Sequence, residues 1–142
     1  MLKSDPGYIL HATTTREKVK TRGLCHIAID VTDVGRSTKF YRDMFDMDIV
    51  GSTGKYVHLQ TPGGHDSLFL FKADGKVDLK AGGLTHMHFG FRIDDDNFDR
   101  AMEYIKRNNI KVHPNPARGE GRFVYIEDPD GYVIQLEPGD CD

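Results

Sequence analysis

Histidines are the side chains of this sequence that first suggest chemistry. The chain has 142 residues and seven histidines, a mild excess. Two of them, His26 and His88, open similar octapeptides, HIAIDVTD and HFGFRIDD. Imidazole binds zinc, iron, nickel and copper, and it exchanges protons near neutral pH. A histidine that recurs at one place in two similar segments is a stronger metal-ligand candidate than a lone histidine.

The elements that must position these histidines follow from the alternation of apolar residues. In residues 23–31, Ile27, Ile29 and Val31 share one strand face, and His26 lies on the other. Asp33 has the position of a helix N-cap, and the helix should end near residue 46. Strands are predicted over 47–51, 55–60 and 67–72, with a turn at 61–66.

The same order of elements returns in the second half of the chain. Residues 84–93 predict a strand, and the acidic run 94–96 can cap an amphipathic helix that Asn108 and Asn109 close. Short strands are expected over the ranges 110–113, 122–127 and 132–137, with a DPDG turn at 128–131. The predicted organisation is therefore βαβββ twice.

This duplication defines the predicted domain organisation. Module 1 covers 24–72, a glycine-containing linker covers 73–83, and module 2 covers 84–137. Together they form one domain, 23–138, of the α+β class, between tails at 1–22 and 139–142. One face of each sheet mixes polar and aromatic side chains, which is typical of a cleft.

Composition excludes several classes of protein. Hydrophobic residues make up 38% of the chain and the net charge is −3, so we expect a folded core and no nucleic-acid partner. No apolar run is long enough for a membrane span, and the first residues lack the apolar core of a secretory signal. Two cysteines cannot build a disulfide framework, so a cytoplasmic protein is expected.

Longer motifs resemble a known family. HIAIDVTD-x-x-x-S-x-x-FY in module 1, and HFGFRIDD with Y-x-x-DPDG-x-x-I-x-L in module 2, are similar to the vicinal oxygen chelate superfamily. That group includes glyoxalase I, extradiol dioxygenases and bleomycin-binding resistance proteins. The resemblance covers residues 23–138 and implies that the two modules form a cup-shaped mixed sheet. It does not specify the reaction, because one fold hosts many chemistries.

The resemblance also implies a divalent metal ion in the cup, with iron, zinc, nickel and manganese left open. The first-strand ligand positions correspond to His26 and His88. The usual fourth-strand carboxylate of module 2 corresponds to Gln135, and the same place in module 1 to Phe69. An amide is a weaker, neutral donor, so Gln135 is either a ligand or an amide that binds substrate.

Further site residues follow from the predicted cup. The candidate catalytic groups are Glu137 and His58 as bases, and Tyr125 as a hydrogen-bond donor, with packing as its alternative role. Arg92 can pair with Asp30 or bind an anionic substrate. The candidate substrate-binding side chains are Tyr56, Phe69, His86, Arg92 and Phe123.

Three functions compete at this point. The first is a metal-dependent enzyme that acts on a small oxygenated molecule, as a lyase, an isomerase or a dioxygenase. The second is a metal-free small-molecule-binding protein of the bleomycin-resistance type, which the missing carboxylates favour and the two histidines oppose. A purely structural module has no positive support. The resemblance also implies a homodimer.

Overall fold

The computed structural model describes residues 18–79, 87–113 and 122–139, and it contains two small sheets, each with one helix. The first module holds β1 (Ile27–Val31), α1 (Val34–Phe45), β2 (Asp48–Ser52), β3 (Tyr56–Gln60) and β4 (Leu68–Lys72). The second holds β5 (His88–Ile93), α2 (Asp95–Arg107), β6 (Val124–Glu127) and β7 (Val133–Pro138). This architecture confirms the predicted α+β fold.

The two sheets repeat one pairing pattern. In module 1 the strand order is β1-β4-β3-β2, and in module 2 it is β5-β7-β6. The first strand of each module runs parallel to the last one, with Ala28 opposite Phe69 and Gly90 opposite Gln135. Because these pairs occupy equivalent registers, the duplication read from the sequence is also a structural one.

Helix boundaries follow the predicted caps in part. The carboxylate of Asp33 accepts a hydrogen bond of 2.9 Å from the backbone N–H of Arg36, which fixes the start of α1. At α2 the N-cap residue is Asp94, and its side chain makes no capping bond. Asp95, which an offset of 62 residues places on Asp33, is already helical, so α2 begins one residue earlier than α1 relative to the strand before it.

Two predicted strands differ from the structure. The predicted strand at 110–113 is reduced to one bridge between Val112 and Ile126. Two hydrogen bonds form this bridge, from the His113 N–H to the Tyr125 carbonyl and from the Glu127 N–H to the Lys111 carbonyl, and residues 114–121 lie outside the described residues. The strand predicted over 84–93 begins at His88 in the structure, and residues 84–86 lie outside the described residues.

The modules are joined by contacts of α1 with the DPDG turn and with β5. The hydroxyl of Tyr41 donates a hydrogen bond of 2.6 Å to the Asp128 carboxylate, and both side chains are buried. Arg36 pairs with Asp130 at 3.2 Å. The rings of Phe45 and Phe91 stack at 3.9 Å. These contacts fix module 1 against the helix-covered side of module 2.

Burial changes the ionisation of this junction. Desolvation raises the pKa of Asp128 above its usual range, although the bonds from Tyr41 and two backbone N–H groups oppose the change. Burial, followed by the negative charge of Asp128, raises the pKa of Tyr41 well above its usual value. No helix within the described ranges is long and apolar enough to cross a membrane.

Candidate metal centre

Module 2 brings two predicted metal ligands together. His88 begins β5, and Gln135 lies on the neighbouring strand β7, on the same sheet face. His88 Nε2 and Gln135 Oε1 are 3.2 Å apart. Tyr125 on β6 stands directly opposite Gln135 in the antiparallel ladder, and its ring meets the His88 ring edge-on at 5.3 Å. One imidazole, one amide and one phenol therefore form a compact cluster.

Two buried polar atoms of this cluster have no hydrogen-bond partner among the described residues. They are Nε2 of Gln135 and the hydroxyl oxygen of Tyr125. Both residues are only 5% exposed. Buried polar atoms are nearly always paired in folded proteins, so two orphaned atoms side by side indicate a place where another molecule supplies the partner.

Gly90 makes room for the Gln135 side chain. It stands opposite Gln135 in the parallel ladder. A Cβ at this position would lie 3.1 Å from the carbonyl oxygen of Gln135 and 3.5 Å from its Cβ. The two similar octapeptides place this glycine in the position of Ala28. A small residue on both first strands, opposite the fourth-strand ligand position, is the signal that could have identified it.

The equivalent face of module 1 is aromatic. Phe69, on β4, lies between two imidazoles: the His58 ring stacks on it at 4.2 Å and the His26 ring meets it edge-on at 5.3 Å. The hydroxyl of Ser67 holds His58 Nε2 at 2.9 Å. Tyr56 packs edge-on against Phe69 at 5.5 Å. This face therefore offers an aromatic wall, with His26 at its exposed margin.

Glu137 lies away from His88. It stands opposite Arg92, whereas His88 stands opposite Val133. Glu137 is two residues beyond Gln135, roughly 7 Å along the strand. Glu137, a predicted proton acceptor, therefore lies at the same end of the sheet as the exposed Arg92. The described residues show no ion pair between Arg92 and Asp30.

The two remaining predicted site residues both belong to module 2. Phe123 packs edge-on against Tyr125 at 5.6 Å and so joins the module 2 cluster. His86 lies outside the described residues.

His26 does not meet His88 within this chain. Ile27 lines a small cavity together with Arg92, and the hydroxyl of Tyr132, next to Val133, donates to the Asp30 carbonyl at 2.7 Å. The two first strands therefore run in opposite directions, which separates their first residues. Across the described ranges, no three His, Cys, Asp or Glu side chains come together as a metal-binding group.

Comparison with known proteins identifies the family. The model of the Glyoxalase/Bleomycin resistance protein/Dioxygenase superfamily matches residues 23–136. The chain belongs to this superfamily. This finding confirms the family that the two motif series predicted.

The superfamily relatives include antibiotic resistance proteins. The chain is 29% identical to the fosfomycin resistance protein FosX of Listeria monocytogenes over 122 residues, which are 82% of this chain and 90% of FosX. It is 26% identical to the metallothiol transferase FosB of Staphylococcus epidermidis over 118 residues, 80% of each protein. A structure of the Listeria FosX with Mn(II) and a sulfate ion superposes with a TM-score of 0.70 at 25% identity, covering 85% of this chain and 93% of that one.

The module 2 cluster fits the divalent metal ion that the superfamily resemblance predicts. Two donors bound at right angles, each about 2.1 Å from one ion, are about 3.0 Å apart. The observed separation of His88 Nε2 and Gln135 Oε1 is 3.2 Å. Imidazole nitrogen and amide oxygen are both suitable donors, and Mn(II) in the FosX relative agrees with a divalent ion.

Proposed function

We propose that this protein is a metal-dependent enzyme that acts on a small oxygenated molecule. In this proposal His88 and Gln135 hold a divalent ion together with His26. The observation that carries the proposal is the contact of His88 with Gln135 beside two buried, unpartnered polar atoms. The relatives FosX and FosB, a fosfomycin resistance protein and a metallothiol transferase, support a reaction on a small molecule.

Each side chain of the cluster has a separate task in this proposal. The bound ion supplies Lewis acidity toward substrate oxygen. The Tyr125 hydroxyl donates a hydrogen bond to the substrate. Glu137 and His58 are the candidate proton acceptors, and Arg92 attracts negative charge from the edge of the site. The aromatic wall of Tyr56 and Phe69 packs against the apolar part of the substrate, together with Phe123 and His86.

A second copy of the chain completes the proposed site. His26 and His88 are both exposed and lie apart within one chain, which is an incomplete arrangement for a three-ligand site. In a twofold dimer, the module 1 face of each copy can cover the module 2 face of the other copy, which gives two equivalent sites. We therefore propose a homodimer, which acts in the cytoplasm, where the exposed thiol of Cys25 stays reduced.

A metal-free binding protein of the bleomycin-resistance type is the second candidate. The neutral Gln135 and the aromatic wall around Phe69 favour it, because they suit an apolar ligand without requiring an ion. The two candidates differ in one property that can be measured directly, the affinity for a divalent ion.

The deciding experiment is a calorimetric titration of tag-free, metal-stripped protein with Mn(II). We expect one site per chain in the wild type and loss of most of that binding in His88→Ala. His65→Ala is the matched control, because His65 is exposed in the turn before β4 and should leave binding unchanged. A wild type that does not bind Mn(II) would reject the metal-dependent function and favour the second candidate, and equal binding by wild type and His88→Ala would reject His88 as a ligand.

A further inference from the structure

Two neighbouring side chains hold the ring of His58 in one orientation. Its Nε2 lies 2.9 Å from the hydroxyl oxygen of Ser67, and its face stacks on the Phe69 ring at 4.2 Å with 15° between the planes. Gly51 stands opposite His58 on β2, where a Cβ would lie 3.9 Å from Nδ1. Because glycine has no side chain, the Nδ1 edge of the ring stays open. Nδ1 has no hydrogen-bond partner among the described residues.

The residue that replaces Ser67 in module 2 cannot anchor a ring in this way. Ser67 precedes Phe69 by two residues, as Val133 precedes Gln135, and Phe69 and Gln135 occupy equivalent registers. Valine has no polar atom in its side chain. The fold therefore does not require a hydroxyl at this position, which indicates that Ser67 serves the histidine beside it.

We propose that Nδ1 of His58 is the proton acceptor of the metal centre and that Ser67 is the residue that positions it. This inference rests on the proposed function, in which His58 and Glu137 are the two candidates for this role. Glu137 stands opposite Arg92, two residues farther along β7 than Gln135. His58, in contrast, has one open ring nitrogen and an anchored ring.

The hydrogen bond to Ser67 suits both protonation states of the ring. A neutral imidazole that can accept a proton at Nδ1 carries its hydrogen on Nε2, where the Ser67 oxygen accepts the hydrogen bond. When an O–H or C–H bond of the substrate breaks, its electron pair stays on the substrate and the proton forms the Nδ1–H bond. The imidazolium then donates from both nitrogens, and the bond from Nε2 to Ser67 is kept.

One copy of the chain supplies both His58 and His26. The two rings contact Phe69, His58 on its face and His26 at its edge, with 5.3 Å between the His26 and Phe69 centroids. In the proposed homodimer His26 joins His88 and Gln135 of the other copy, so His58 reaches the site together with His26. Each site therefore takes its proton acceptor from one copy and two metal ligands from the other.

Nitrogen-15 NMR of the metal-free protein tests the role of Ser67. In the wild type we expect neutral His58 to carry its hydrogen on Nε2, with a sharp signal because the bond to Ser67 slows exchange with water. Ser67→Ala should lose this signal, and Ser67→Thr, which keeps the hydroxyl, should retain it. Thermal unfolding checks that both variants are folded. A hydrogen on Nδ1, or the same Nε2 signal in Ser67→Ala, would overturn the inference.

Paramagnetic broadening by Mn(II) tests which copy supplies His58. His88→Ala chains labelled with nitrogen-15 are refolded with an equal amount of unlabelled His26→Ala chains, so the intact site of a mixed dimer takes His26 from the labelled copy. Mn(II) should broaden about half of the labelled His58 ring signal, the share that random pairing places in mixed dimers. When the labels are exchanged, the labelled His58 faces a site that lacks both histidines, and its signal should stay sharp.

The two possible failures are distinguishable. A sharp His58 signal in the first mixture while Mn(II) is bound would overturn this inference and leave the metal-dependent function intact. Absence of Mn(II) binding, in this mixture and in the wild type, would reject the proposed function instead.

Discussion

Phe69 and Gln135 occupy the same place in the two modules. Phe69 stands opposite Ala28 on one side and His58 on the other, and Gln135 stands between Gly90 and Tyr125 in the same way. A ring and an amide at equivalent positions give the two faces different chemistry. Module 1 provides an aromatic wall, and module 2 provides the polar cluster that can hold a metal ion and an oxygen ligand.

The close approach of Gly90 to Gln135 predicts that a larger residue will displace the amide. Gly90→Val places a side chain where a Cβ alone would lie 3.1 Å from the Gln135 carbonyl oxygen. We expect Mn(II) affinity to fall roughly 10- to 100-fold, the usual cost of disturbing the support of a metal ligand. Calorimetry measures this change.

Ala28→Val is the control for that variant, because Ala28 holds the equivalent place opposite Phe69 and is exposed. It should change Mn(II) affinity much less than Gly90→Val. Equal losses of Mn(II) affinity in the two variants would show that Gly90 does not support Gln135.

The junction between the modules predicts a stability effect for Tyr41→Phe. This change removes the buried hydroxyl that donates to Asp128 at 2.6 Å. Because a hydrogen bond to a charged group contributes about 1.5–3 kcal/mol, the free energy of unfolding should fall by about that amount. Urea denaturation measures it. Tyr104→Phe, in the half-exposed part of α2, should change the unfolding free energy by less than about 0.5 kcal/mol. Similar losses in both variants would contradict the role of the Tyr41 bond.

Asp128 predicts a pH dependence with a definite sign. Its pKa is raised in the folded protein, chiefly by burial, so the folded state binds this proton more tightly than the unfolded state. The protonated Asp128 therefore stabilises the folded state fully at a pH below its pKa in the unfolded chain. This stabilisation is lost as the pH rises through its pKa in the folded protein. The unfolding free energy of the wild type, minus that of Asp128→Asn, should therefore decrease from pH 3 to pH 7. A difference that grows with pH would contradict this assignment.

Glu127 predicts the opposite trend. Burial tends to raise its pKa, but the hydrogen bond from His113 at 3.0 Å and the charge of Lys111 outweigh burial and lower it. The ionised Glu127 therefore stabilises the folded state at a pH above its pKa in the unfolded chain. This stabilisation is lost as the pH falls through its pKa in the folded protein. The unfolding free energy of the wild type, minus that of Glu127→Gln, should therefore fall on acidification below pH 5. A difference that is constant over that range would count against this ion pair.

Local patterns predicted most of the fold. Alternation identified both faces of β1 and β5, because each strand has one buried side, and Asp33 was recognisable as a cap from its position alone. The strand at 110–113 was overpredicted, since its apolar residues resemble a strand whose ladder then fails to extend. Asp128 could not be linked to Tyr41, because 87 residues separate them and only tertiary packing joins them.

The site was predictable only in part. The position of Gln135 followed from the family motif, and the structure brings Gln135 to His88. The arrangement of the modules did not follow from the sequence, because strand patterns define faces but not how two sheets are oriented. The separation of His26 from His88 within one chain followed only from the cavity that Ile27 shares with Arg92 and from the hydrogen bond of Tyr132 to the Asp30 carbonyl.

The central claim is that one metal site combines His88 and Gln135 of one copy with His26 of another. The most direct test unfolds and refolds His26→Ala and His88→Ala together in equal amounts and then measures Mn(II) binding. Neither variant alone should bind Mn(II) tightly. In a refolded mixture of twofold dimers, half the dimers combine both variants and each regains one intact site, so about a quarter of wild-type binding should return. No recovery in a mixture shown by mass spectrometry to contain mixed dimers would contradict the claim.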